Sequence, residues 1–141
     1  MRAYLRLIFP LTHIRLMMQL QNYDHIILLA HGSTDPAWKM PFEALQKRVE
    51  QKYGVGKTTL AFMELTEPDL ATVLANFPSS VKKVGVLPLF LAAGRHLRHD
   101  VPKQIEALST KSREIDLLAP IGDHDVLQNA MLDIIAEQLG M

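Results

Sequence analysis

The chain contains no cysteine. That excludes a disulfide framework and any thiolate metal site, so a metal ion could be held only by His, Asp or Glu. It also lacks net charge, since 15 basic and 15 acidic residues cancel at pH 7. Bulk attraction to nucleic acid or to an acidic membrane surface is therefore absent, and any acidic ligand must meet a local basic patch. No apolar run is long enough to cross a bilayer. The run near the start, Tyr4 to Leu11, is interrupted by Arg6 and Pro10, and no small-residue cleavage site follows it to suggest a signal peptide. A cytoplasmic protein is the default expectation. The first acid is Asp24, whereas Arg2, Arg6 and Arg15 precede it. Residues 1–23 therefore read as an extension, with Met17 and Met18 sitting just before the first clear strand as alternative starts. A transit-like or membrane-surface segment is the competing reading.

What is present suits one folded domain. Of 141 residues, 48% are hydrophobic and 21% charged, the balance of a globular protein with a proper core. No long linker, low-complexity tract or strong repeat divides residues 24–141. "HIILLA", His25 to Ala30, is a continuous apolar run ending at Gly32-Ser33, which predicts a strand buried on both faces. "PFEALQKRVEQKYG" places Phe42, Leu45, Val49 and Tyr53 at helical spacing before Gly54. "KTTLAFMEL", Lys57 to Leu65, predicts a second strand, and "EPDLATVLANF" a second helix with Pro68 in its first turn. "VKKVGVLPLFL" predicts a third strand, and "RHDVPKQIEALST" a third helix with Ile105 and Leu108 inward. "EIDLLAP" is a short fourth strand. "DHDVLQNAMLDIIAEQLG" closes the chain as a helix with Val126, Leu127, Ala130, Met131, Ile134, Ile135 and Leu139 on one stripe, and with Asp123 or Asp125 as its cap.

Four alternations of strand and helix predict an α/β fold: one three-layer domain with a four-stranded parallel sheet covered on both faces, of flavodoxin-like form. In such sheets ligands bind beyond the carboxyl ends of the strands, where strand order reverses. The residues at those exits are His31, Gly32, Ser33 and Thr34 after the first strand and Glu64 after the second. Arg95, His96, Arg98 and His99 follow the third, and Gly122 to Asp125 the fourth. If the order is 2-1-3-4, His31, Glu64 and His96 converge, because adjacent strands lie about 4.8 Å apart.

Each exit also has a structural explanation. His31 could ligate a metal, move a proton or carry phosphate, or be a hydrogen-bonded structural histidine with Asp35 capping a helix. The phosphate reading expects Arg-His-Gly, and here Ala30 precedes His31. Ser33 lacks the Gly-x-Ser-x-Gly surroundings of a nucleophile and reads as a turn or capping serine. Glu64 could supply a ligand oxygen or simply favour a helix start. Cations at a helix N-terminus oppose the helix dipole, so Arg95 and Arg98, with Lys103, suit pairing with ligand carboxylates. His124, between two acids, reads as part of a helix cap.

Together, "ILLAHGSTDP", "FMELTEPDL" and "VLPLFLAAGRHLRHDVP" resemble the signature regions of the small class II chelatases, the CbiX/SirB-type sirohydrochlorin cobaltochelatases and ferrochelatases. The likeness runs in order from Asp24 to Met141, and the third region is the most specific. It implies ATP-independent insertion of Co²⁺ or Fe²⁺, with Ni²⁺ a further option, into sirohydrochlorin. The ion would be a substrate, with no tightly bound cofactor. It further implies His31 and His96 as catalytic groups, and His31, Glu64 and His96 as metal ligands. Substrate contacts would come from Ser33, Arg95, Arg98 and Lys103, and two chains would pair as a homodimer. His99 falls where an acidic or variable residue is expected and inherits no role. The competing function is a chelatase-like carrier that binds metal or tetrapyrrole without turnover. Partners are a tetrapyrrole and a second copy, with neither nucleic acid nor membrane.

Overall fold

The computed structural model describes residues 23–141; all of the extension but Tyr23, with its alternative starts, lies outside the described residues, as does the His96 side chain. Four strands, β1 (His25–Ala30), β2 (Thr58–Phe62), β3 (Lys83–Pro88) and β4 (Glu114–Leu117), form one sheet in the order β2-β1-β3-β4. Every pairing is parallel. The order reverses at β1, between β2 and β3, the arrangement that sets the exits of β2, β1 and β3 side by side.

Among the described residues, four α-helices connect or follow the strands: α1 (Met40–Tyr53), α2 (Leu70–Ala75), α3 (Val101–Leu108) and α4 (Asp125–Leu139). One sheet face carries Ile27, Leu29, Val84, Val86 and Ile115. Leu70, Val73 and Leu74 of α2 and Val101 and Ile105 of α3 pack onto it. Fully burying each such aliphatic side chain stabilises the fold by roughly 1.5–3 kcal/mol. The opposite face carries Leu28, Ala30, Leu60 and Phe62, with Phe42 of α1 against them. Leu87 and Leu89 on that face are only partly buried.

The elements are shorter than their apolar runs. β2 stops at Phe62, whose N–H bonds to Pro68 O. That closes the chain into a tight loop just after β2, although Met63 N still donates to Ala30 O at 2.9 Å. Pro68 lies ahead of α2, whose N-cap is Asp69, its side chain accepting from Thr72 N at 2.8 Å. α3 is preceded by a π-helical turn, His96–Asp100, so the basic cluster lies outside the regular helix. A 3₁₀ turn, Ile121–Asp123, precedes α4, and His124 holds the N-cap position without a side-chain cap bond. Neither Asp123 nor Asp125 is that cap; Asp125 lies within the first turn of the helix.

α4 departs from expectation. None of its residues is buried, and Val126, Leu132, Ile134, Ile135 and Leu139 are each more than half exposed. The apolar stripe exists, but it does not lie on this chain's sheet. α4 meets the body chiefly at its first turn, where Gln128 Nε2 donates to Gly122 O at 3.1 Å. Among the described residues, no helix is long and apolar enough to cross a membrane.

Candidate active site at the carboxyl edge of the sheet

The four strand exits are locked together by their register. The β1–β2 ladder runs to Ala30 opposite Phe62, and the same offset brings Gly32 opposite Glu64. The backbones approach so closely there that a Cβ on residue 32 would collide with Glu64 O. Only glycine fits. The next step is fastened by Thr66, whose hydroxyl accepts from Ser33 N at 2.9 Å and donates to Ser33 O at 2.9 Å. On the other side, the β3–β4 offset places Leu91 opposite Gly122. A Cβ on residue 122 would run into Leu91 O, and Gly122 N donates to Phe90 O at 2.9 Å. Two glycines thus let neighbouring loops close on one another across the sheet edge.

His31 sits at the centre of this edge. Its ring stacks on Phe90, with centroids 4.0 Å apart and planes 21° apart. Register explains the pair, since the offset that sets Leu29 against Pro88 sets His31 against Phe90. Phe90 is buried, whereas His31 is exposed. The imidazole therefore has one face fixed by an aromatic floor and access to solvent. The His31 carbonyl accepts from Trp38 Nε1 at 2.7 Å. Trp38 rests against Phe42, which meets Phe62 edge-on, so the histidine's backbone is tied through three aromatic rings to the core.

The turn after His31 is built as a capping turn. Asp35 Oδ1 accepts from Ala37 N at 2.9 Å, and Ser33 Oγ accepts from Asp35 N at 3.1 Å. These bonds support the structural reading of Ser33, whose backbone groups are already held by Thr66. Glu64 is exposed beside Gly32. It is followed by Leu65, a non-glycine residue with φ at 62° and 66% exposed. Left-handed backbone costs such a residue roughly 1–2 kcal/mol. Arg95 and Arg98 are exposed after β3, and Lys103 is exposed on α3. The backbone of His96 opens the π-helical turn at the same exit. Among the described residues, no three His, Asp or Glu side chains are grouped closely enough to hold a metal ion.

Sequence reasoning reached His31 and Glu64 as edge residues but not Phe90, Trp38, Thr66 or Gly122 as their supports. Phe90 was hidden in an apolar run. Only the strand offset, which requires the register, brings it under His31.

The chain matches the CbiX family over residues 25–138. It is 30% identical over 119 residues to the chloroplastic sirohydrochlorin ferrochelatase of Arabidopsis thaliana, a match covering 82% of this chain and 51% of that protein. It is 33% identical over 81 residues to a sirohydrochlorin cobaltochelatase of Methanopyrus kandleri, covering 57% of each. The chain thus spans about half the length of these curated relatives. Among solved structures, a CbiX protein from Marinobacter aquaeolei superposes with a TM-score of 0.67 at 42% identity, covering 82% of this chain and 97% of that one.

Proposed function

The chain belongs to the CbiX family, and from that membership we propose that it inserts a divalent metal ion, Co²⁺ or Fe²⁺, into sirohydrochlorin without ATP. Relatives named for cobalt insertion and for iron insertion both support the reaction class. The observation that carries the reading is His31, an exposed imidazole held flat on Phe90 at the switch point of a parallel sheet. The metal is a substrate, to be taken up and surrendered.

Insertion requires pyrrole N–H protons to leave as the metal enters. A neutral imidazole can do either task, ligating the ion or accepting a proton. We assign these roles to His31 and His96, and give Glu64 the third ligand position or the orientation of a histidine. An incomplete ligand set suits an ion that must be handed on. Sirohydrochlorin is rich in carboxylates, and the exposed Arg95, Arg98 and Lys103 would hold that rim, with Ser33 beside it. Residues 24–141 would constitute the chelatase domain, with 1–23 an extension, and the cytoplasm the site of action.

A second copy of the chain completes the proposal. The uncovered stripe of α4 is apolar, and its charged groups are all acidic: Asp125, Asp133 and Glu137. α1 carries Lys47, Arg48 and Lys52 against Glu43 and Glu50. The sheet face beside α1 leaves Leu87 and Leu89 partly open. An acidic apolar helix and a basic-flanked apolar face on one chain are complementary between two.

The test is anaerobic absorbance of sirohydrochlorin with each ion, against the rate without protein. Acceleration is expected with Co²⁺ or Fe²⁺. His31→Ala and His96→Ala should each lower the rate about 10²- to 10⁴-fold, the range for losing a group that moves protons. Near-unchanged rates would remove the residue from the mechanism. A spectral change on binding with no acceleration would instead establish the carrier reading.

A further inference from the structure

Two leucines at the sheet edge lie outside the core formed by the described residues. Leu65 is 66% exposed, and it occupies a left-handed backbone that asparagine or glycine would adopt with less strain. Leu91 is 68% exposed. Neither belongs to the hydrophobic clusters of the core. Yet both are held where they are. The residue before Leu65 is closed upon by Gly32 and the residue after it is bonded to Ser33, while Leu91's own backbone is closed upon by Gly122. Rigid backbone beneath exposed apolar side chains is what a contact surface requires, because little ordering entropy remains to be lost on binding.

Their placement gives the surface its shape. Leu65 follows β2 and Leu91 follows β3, on either side of β1 and His31. Two strand spacings separate those exits, about 10 Å. Trp38, 42% exposed, stands on the β1 loop with its Nε1 already bonded, so its ring can offer only apolar surface. The basic side chains Arg95 and Arg98 are exposed beyond β3. An apolar seat around an imidazole with cations to one side matches a flat conjugated ring with carboxylates at its rim.

We propose that Leu65, Leu91 and the exposed face of Trp38 form the seat for the apolar face of the tetrapyrrole macrocycle, holding it over His31. This rests on the chelatase reading for the identity of the ring. The seat fixes the plane of the macrocycle, whereas the basic residues fix its rotation within that plane.

The test uses Leu65→Asn, Leu91→Asn and the conservative Leu65→Met in the full chain. The readouts are titration with metal-free sirohydrochlorin, thermal melting and light scattering. Leu65→Asn should melt at or above the wild-type temperature, since asparagine tolerates the left-handed backbone, yet bind about fivefold to tenfold more weakly, as expected for losing part of one leucine's apolar contact. Leu91→Asn should weaken binding similarly, and Leu65→Met should keep near-wild-type affinity. Unchanged affinity in both asparagine variants would overturn the seat. So would a change in mass with affinity intact, which would make these leucines an interface between copies. Failure of the wild-type chain itself to bind sirohydrochlorin would overturn the chelatase reading, and the seat with it.

Discussion

His25 begins β1 and is 7% exposed, with Nε2 2.8 Å from Thr59 Oγ1 and its ring against Phe77. Burial holds its pKa below the ordinary imidazole value, because the charged form would be desolvated. The folded chain therefore resists protonation more than the unfolded chain does. Above the ordinary value of about 6.5 both states are neutral and the fold loses nothing. As pH falls from there towards the depressed folded value, the unfolded state binds the proton first and stability declines. Asp24, accepting from the backbone of Lys83 and Lys82, and Asp69, accepting from Thr72, have pKa values held below the carboxylate range. Their contributions are lost only at lower pH. Urea midpoints should thus fall between pH 7 and pH 5, and His25→Gln should flatten that segment while leaving the more acidic fall in place. A wild-type midpoint that is flat from 7 to 5 would contradict this. At this scale the sequence was readable wherever a residue's type announced its chemistry. His31, Glu64 and the basic cluster could be named from their positions after apolar runs. The supports could not be, because Phe90, Thr66 and Gly122 act through partners 59, 33 and 31 positions away, separations fixed only by the ladder offsets.

Between residue and fold, Arg113 shows how one side chain finishes an element. α2 has only six residues, and its last carbonyls need donors. Arg113 Nη1 donates to Leu74 O at 2.8 Å, Nη2 to Phe77 O and Pro78 O at 3.3 and 3.0 Å, and Nε to Val81 O at 2.8 Å. Its guanidinium also lies over the Phe77 ring, 5.7 Å from the centroid. A single planar fork thus closes the helix end and the whole turn leading to β3. Lysine cannot reproduce that geometry. Arg113→Lys should lower stability by about 2 kcal/mol, and Arg113→Ala by about 3 kcal/mol, through partly buried carbonyls that lose the guanidinium as a donor. Denaturant midpoints would check both, and a loss under about 0.5 kcal/mol would show that water replaces the guanidinium. Element order and type were legible because branched apolar runs and 3.6-residue spacing alternate cleanly. Boundaries were less so. Met63 and Leu65 continue the apolar composition of β2, and Met63 N still bonds to Ala30 O, but the chain then turns back so that Pro68 O meets Phe62 N and the strand stops. The π-helical turn at His96–Asp100 carries no composition that distinguishes it from a helix start.

For the whole molecule, the decisive feature is α4. A helix with an apolar stripe reads, in sequence, as the cover for its own sheet. The stripe is equally satisfied by the sheet of a second copy, and composition cannot tell those apart. The structure directs α4 through the 3₁₀ turn clamped between Gly122 and Leu91, leaving Val126, Leu132, Ile134, Ile135 and Leu139 largely in solvent. An exposed stripe of this size on one chain is costly in water, and exchange of an identical element between protomers is a ready way to bury it. Light scattering of the full chain should therefore give twice the chain mass. Paired Ile134→Glu and Ile135→Glu substitutions should shift it to the monomer. Because the chain has no cysteine, single cysteines introduced on α4 and on α1 in separate chains can be mixed and oxidised without background. Cross-linked pairs between the two variants would place α4 on the partner. A monomeric wild-type chain would overturn the pairing. A dimer indifferent to the Ile134 and Ile135 changes would keep the pairing but move the interface elsewhere. The first result would make the dimer a condition of the fold, so that dilution below the dissociation constant would lower thermal stability and metal insertion together.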